Sequence, residues 1–268
     1  MSALLTAEYI QKRFGGVTAV ADVSIAVNEG QIHGLIGPNG AGKTTFFNVV
    51  AGVFKPDRGR ISMSGVSVAG RPSHVLARKR IARTFQNVQL FTAMTAIENV
   101  SMGYHTRQRS GIFDALVASR RARSEAAETR HVALTAMDFV GLGGLDGGLL
   151  PSSLAYGHQR LLEIARALAS EPLLLMLDEP AAGMNHSESR NLSALIRRIR
   201  DRGITVLVIE HHMDVVMTVC DQVTVLDRGR VLATGAPGQV QRDPDVIRAY
   251  LGKAGARGET RASELPSA

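Results

Sequence analysis

The sequence predicts an α/β fold: a mixed sheet core covered on both faces, with a helical subdomain inserted among its strands. Three observations lead there. Residues 173–177 (LLLML) and 205–209 (TVLVI) are apolar without alternation, the pattern of parallel strands buried on both faces. A glycine-rich turn at 37–42 stands between a strand-like stretch and a helix-like one. From residue 94 to 150 the apolar spacing turns helical and separates the early strands from the late ones, so an inserted subdomain of about 94–165 is expected.

Taken in order, Val23, Ile25 and Val27 alternate with Ser24 and Ala26, as in a half-buried strand, and Asn28-Glu29-Gly30 turns the chain. Residues 31–36 make a short strand that runs into the glycine-rich loop, and 44–51 a helix closed by Gly52. Residues 60–63 are a further strand, ended by Ser64-Gly65. Inside the inserted block, 125–140 has the clearest helical period, and 161–169 forms the next helix. After the two buried strands, 222–226 and 230–233 flank Asp227-Arg228-Gly229 as a hairpin. The polar, small-residue stretch 253–268 reads as a flexible tail.

The bulk properties exclude several classes. With 268 residues and 45% hydrophobic content, the chain can build one large domain with a real core. A single cysteine, Cys220, rules out an internal disulfide and fits a reducing compartment. No charged leader precedes an apolar stretch at the N-terminus, so no signal peptide is expected. The longest apolar runs fall far short of the roughly 20 residues of a membrane span, so a membrane is expected to be reached through a partner. The net charge is +7, yet the basic residues sit in short clusters: Arg78, Lys79, Arg80 and Arg83, then Arg120, Arg121 and Arg123. These read as solvated helix faces, with anionic headgroups or a membrane partner's cytoplasmic loops as candidate contacts. Without a basic stripe, and with 4% aromatics to stack bases, no nucleic-acid partner is expected.

Gly37-Pro38-Asn39-Gly40-Ala41-Gly42-Lys43-Thr44 matches G-x-x-x-x-G-K-[ST] in the strand-to-helix setting that the motif requires. Glycines let the backbone wrap phosphate oxygens with inward N–H groups, and the following helix, which starts with Thr44 and Thr45, adds its positive end. Lys43 supplies charge to the β- and γ-phosphates, and the Thr44 hydroxyl is a hard ligand for Mg²⁺. Asp178 and Glu179 close the apolar strand at 173–177, at the sheet edge where α/β folds bind ligands. Asp178 is placed to hold Mg²⁺, and Glu179 to orient and deprotonate an attacking water. The two motifs together describe a P-loop nucleotidase that uses Mg²⁺, without saying which kind.

Leu154-Ala155-Tyr156-Gly157-His158-Gln159-Arg160, just ahead of the acidic strand, resembles the LSGGQ signature of ABC-type ATPases. The resemblance covers residues 4–252 and implies one cassette domain of the ABC type. It implies that Leu154, Ala155, Tyr156, Gly157 and His158 close over ATP held by the phosphate loop of a second cassette. By the same resemblance Gln86, in Thr84-Phe85-Gln86, is the Q-loop glutamine that senses Mg²⁺ and water; His211 is the switch histidine; Phe14 stacks on adenine. Ala181-Ala182-Gly183-Met184-Asn185 resembles the D-loop, with Asn185 where Asp is common. Ala155 stands where serine is usual, His158 where glutamine is usual, and His212 where Asp is common. Within the family the sequence looks closest to ATP-binding subunits of branched-chain amino acid importers. The carriers are Gly34-Leu35-Ile36-Gly37-Pro38-Asn39-Gly40, the LAYG signature, Glu163-Ile164-Ala165-Arg166-Ala167-Leu168, Asp178-Glu179-Pro180-Ala181-Ala182-Gly183 and Ala249-Tyr250-Leu251-Gly252. That implies as partners a second, non-identical cassette (or a second copy of this chain), two permeases and an extracytoplasmic binding protein, with this chain peripheral on the cytoplasmic face of the membrane. A urea or amide importer and a lipopolysaccharide exporter are the alternatives; a non-transport ABC ATPase fits less well, since there is one cassette and no heptad run.

Overall fold

Two sheets share the work of the core. The structure, a computed structural model, describes residues 2–107 and 120–254. A four-stranded antiparallel sheet is formed by β1 (Ala3–Phe14), β2 (Val17–Asn28), β4 (Arg58–Met63) and β5 (Val66–Ser67), in the order β2-β1-β4-β5. A six-stranded sheet follows the order β10-β9-β3-β8-β7-β6, from β3 (Ile32–Ile36), β6 (Ile81–Arg83), β7 (Leu174–Asp178), β8 (Thr205–Ile209), β9 (Gln222–Asp227) and β10 (Arg230–Gly235). All of its pairings are parallel except β9 with β10, which a hairpin joins. Arg228 and Gly229 take φ of 46° and 78°, the paired left-handed conformation of a two-residue hairpin turn.

The unalternating strands divide their residues between two cores. Leu175, Leu177, Val206 and Val208 pack toward α3 (Ala96–Tyr104), α4 (Arg120–Phe139), α5 (Tyr156–Ala169), α6 (His186–Asp201) and α7 (Met213–Val219). Leu174, Met176, Leu207 and Ile209 point the other way, onto Phe46 and Phe47 of α1 (Lys43–Val50) and the inner face of the antiparallel sheet. Each apolar residue is thus used once, on one side or the other, which is why the apolar runs do not alternate with polar positions.

The structure adds elements that the sequence pattern hides. β1 is twelve residues long, but its register shifts between Ala7 and Ile10, where Tyr9 takes φ of 53°. The bulge breaks the period-two signal and leaves Tyr9 exposed. β6 has three residues and lies among the basic cluster that reads as a solvated helix face. That reading is corrected for Arg83, which is largely buried on β6, while Arg78 does end a short helix, α2 (Ser73–Arg78). The helix expected from 161 begins at Tyr156, because Gly157-His158-Gln159 carries no apolar period. Two short helices close the chain, α8 (Pro237–Gln241) and α9 (Pro244–Ala254). The first two residues of the expected tail are therefore helical, and 255–268 lie outside the described residues, as does the backbone of 108–119. Among the described residues no helix is long and apolar enough to cross a membrane.

Candidate active site

Parallel pairing brings three chain segments to one sheet edge. Ile209 is the register partner of both Leu35 and Asp178, so β3, β8 and β7 end side by side. Beyond those ends come the glycine loop, Glu210-His211-His212 and Glu179.

The loop at 37–42 is formed by backbone packing as much as by turn propensity. Gly37, Gly40 and Gly42 take φ of 146°, 79° and 99°. A Cβ on Gly37 would sit 2.1 Å from the Leu226 carbonyl oxygen, and one on Gly42 2.4 Å from that of Ala19. Gly229 of the β9–β10 hairpin donates its amide to the Ala41 carbonyl at 2.9 Å. Lys43 is buried, and its ammonium donates to the carbonyls of Gly37 (2.6 Å) and Pro38 (3.2 Å). The charge is thereby held inside the ring that the loop describes. Thr44 is exposed and Thr45 half-buried at the start of α1. Phe14 ends β1, 44% exposed, with Phe54 edge-on at 5.2 Å between ring centroids and the Lys12 ammonium 5.4 Å from its ring.

Asp178 is buried at the end of β7. Burial raises its carboxyl above the usual carboxylate range, while the hydrogen bond and charge of Arg83 oppose the rise. The Arg83 guanidinium donates to Asp178 Oδ2 at 2.8 Å and to Asn48 Oδ1 at 2.5 Å, and lies against the rings of Phe47 and Phe85. Glu179 follows in a left-handed conformation, φ 46°, fixed by its amide bonding the Ile209 carbonyl at 2.9 Å. Its Oε2 accepts from Gln86 Nε2 at 3.0 Å and stands 3.6 Å from His211 Nδ1. Gln86, Glu179 and His211 therefore converge on one carboxylate oxygen, although they come from three separate segments of the chain.

His212 points elsewhere. Its Nδ1 is 3.3 Å from Oε2 of Glu210, a fully buried carboxylate that also accepts the amides of Ala181, His211 and His212. Glu210 is a residue that sequence reasoning passed over: it ties the His211 segment to Ala181, and its only signal is an acid directly after a buried strand.

The residues that resemble the signature lead into α5 and open its first turn. Ala155 is exposed at the N-cap of α5 and offers no side-chain acceptor, so the first amides of that helix lack a side-chain cap. Leu154 is buried, Gly157 half-buried and His158 exposed. Side chains placed on Gly183 and Gly157 would rest 3.4 Å from the Tyr156 ring and 3.2 Å from Glu188 Oε1. Asn185 caps α6, its Oδ1 accepting the amides of Ser187 and Glu188 at 2.9 Å each. The Asn in place of Asp thus keeps a capping role.

The similarity of the chain to known proteins agrees with this geometry. A family model described as ABC transporter matches residues 20–182, and one described as branched-chain amino acid ATP-binding cassette transporter matches 230–256. The high-affinity branched-chain amino acid transport ATP-binding protein BraF of Pseudomonas aeruginosa is 44% identical over 255 residues, covering 94% of this chain and 98% of the relative. The LivG protein of the same description from Salmonella typhimurium is 45% identical over 256 residues, with the same coverage of 94% and 98%. A nucleotide-free ATP-binding cassette from an ABC transporter superposes with a TM-score of 0.81 at 31% identity, covering 93% of this chain and 99% of the other. The ADP conformation of an ATP-binding cassette of an ABC transporter gives 0.81 at 30%, covering 94% and 100%. With a phosphate loop, two acids at the sheet edge and relatives matched almost end to end, the chain belongs to the ABC transporter ATP-binding family and is one of its ATP-hydrolysing cassettes.

Proposed function

We propose that this chain hydrolyses ATP to drive an importer of branched-chain or related amino acids. In that reading residues 4–252 act as one cassette, with about 94–165 as an inserted helical subdomain. It works on the cytoplasmic face of the membrane with a second, non-identical cassette, two permeases and an extracytoplasmic binding protein. The names of the BraF and LivG relatives and the match at 230–256 support the solute class.

The residues divide the chemistry. Amides of Gly37–Thr45 and the Lys43 ammonium, which the carbonyls of Gly37 and Pro38 hold within the loop, bind the phosphates. Phe14 stacks on the adenine. Thr44, Gln86 and Asp178 offer a hydroxyl, an amide and a carboxylate oxygen, the hard donor set that suits Mg²⁺. Bound there, Mg²⁺ neutralises charge on the β- and γ-phosphates. Glu179 takes a proton from the attacking water, while Gln86 and His211 orient its carboxylate. Leu154, Ala155, Tyr156, Gly157 and His158 face the nucleotide held by the opposite cassette, with the positive end of α5 toward its γ-phosphate.

The observation that carries this reading is the convergence of Gln86 and His211 on Glu179. The test is to purify the chain with its native membrane partners, confirm ATP turnover, and screen the associated binding protein for solutes. Capture of leucine, isoleucine or valine is expected. Co-purification with an export assembly, without a binding protein, would overturn the importer.

A further inference from the structure

The helix that carries the signature also grips the glutamine loop, and it does so with buried charge. Arg160 and Glu163, 0% and 1% exposed, form an ion pair on α5 at 3.1 Å. Arg160 donates to the Phe85 carbonyl at 2.5 Å, to the Gln86 carbonyl at 2.6 Å and to the Tyr156 hydroxyl at 3.2 Å. Glu163 Oε1 accepts the amides of Phe85 (3.4 Å) and Gln89 (3.2 Å). One turn on, Arg166 donates to the Gln89 carbonyl at 2.5 Å and lies over the Phe91 ring. Every bond to residues 85–89 is made to backbone, so the three side chains dictate the path of the loop and not its composition.

Buried ion pairs are poor stabilisers, because desolvation offsets most of their attraction, and an apolar set of similar volume would pack as well. Burial indeed pushes the Glu163 carboxyl up and the Arg166 guanidinium down, against the help each gives the other. What such a cluster provides that an apolar one does not is direction: planar donors and acceptors fix a backbone in one place. Here the backbone fixed is that of Gln86, whose side chain touches Glu179. Tyr156, at the other end of the cluster, belongs to the signature itself.

We propose that Arg160, Glu163 and Arg166 are positioning residues that hold Gln86 against Glu179 and join the loop at 85–89 to the signature helix as one rigid piece. This rests on the reading of Gln86 and Leu154–His158 given above.

The experiment uses the full chain assembled with its membrane partners and the variants Glu163→Gln, Arg166→Lys and Arg160→Lys. Turnover, KM for ATP with Mg²⁺, unfolding midpoint and hydrogen exchange at the amides of 85–89 are measured for each. Glu163→Gln keeps the shape but loses the charge that serves two amides. It should speed exchange at Phe85 and Gln89 by about tenfold or more. It should lower kcat by about tenfold or more, the scale of a misplaced catalytic contact, with KM for ATP within about threefold of the parent. Arg166→Lys, at the less deeply buried end, should move the same readouts less and covers the case in which Arg160→Lys does not fold. Faster exchange with unchanged kcat would overturn the proposal, as would a loss of kcat that merely tracks the loss of folded protein. Lys43→Ala and Glu179→Gln run alongside: full turnover in either would overturn the nucleotide-site reading instead, while the exchange data would still decide whether the clamp holds the loop.

Discussion

Glu179 is the residue on which the proposed chemistry turns, and its backbone is strained. A φ of 46° is uncommon for a glutamate and persists because its amide is tied to the Ile209 carbonyl. Glu179→Gln should leave ATP binding intact and lower turnover by at least about 10²-fold, since the amide cannot accept a proton; the protein should collect as an ATP-bound dimer, visible by size-exclusion chromatography. Lys43→Ala should abolish hydrolysis and weaken nucleotide binding, measured by titration with a fluorescent ATP analogue. The two histidines separate cleanly. His211 faces Glu179 and His212 faces Glu210, so His211→Ala should stall turnover and His212→Ala should cost far less. The reverse ranking in steady-state ATPase assays would reassign the switch.

At the scale of elements, α5 starts with an alanine where a side-chain cap would serve it. Ala155→Ser should raise stability by about 1 kcal/mol, read as an upward shift of the thermal midpoint. β3 carries a buried histidine, His33, bonded to Thr224 at 2.9 Å. Burial pushes it from 6.5 down to about 4. The unfolded chain therefore takes up the proton first: stability is full above about 6.5, falls as pH drops toward 4, and the loss levels off below. That gap corresponds to roughly 3 kcal/mol, and His33→Leu should flatten the slope in denaturant titrations at pH 7, 5.5 and 4.5. The elements legible in the sequence are those whose pattern is local. The buried strands at 173–177 and 205–209, the hairpin at Arg228-Gly229, and the loop with its lysine all announce themselves within ten residues. β1 is obscured by its bulge, β6 by its shortness, and the roles of Arg83, Glu210, Arg160 and Glu163 by distance. Arg160 and Glu163 do pair locally, three residues apart, but the bonds that give all four charges their roles reach groups that only the fold brings near.

For the whole molecule, the proposed pairing of cassettes makes the two ATP sites unequal. Each site would combine one chain's phosphate loop with the other's signature, and Ala155 withholds a hydroxyl that a serine-bearing partner would supply. Hydrogen bonds to charged groups contribute about 1.5–3 kcal/mol, enough to separate the sites kinetically. ATPase activity should be low for this chain alone, high with the partner, and largely retained when only the partner's catalytic acid is removed; equal activity per site alone and paired would rule the asymmetry out. The packing of the phosphate loop affects how such experiments are interpreted. Gly37 and Gly42 lie against the carbonyls of Leu226 and Ala19, at distances no methyl group can share. Substituting these glycines would pry β2 and the β9–β10 hairpin from the sheet edge, so a dead glycine variant would report a broken scaffold. Lys43 bonds the carbonyls of Gly37 and Pro38, and replacing it with alanine opens space instead of forcing backbone apart. Within a span of eight residues, then, some positions are questions about architecture and others are questions about the nucleotide, and a mutational survey that pools them would mistake the first for the second.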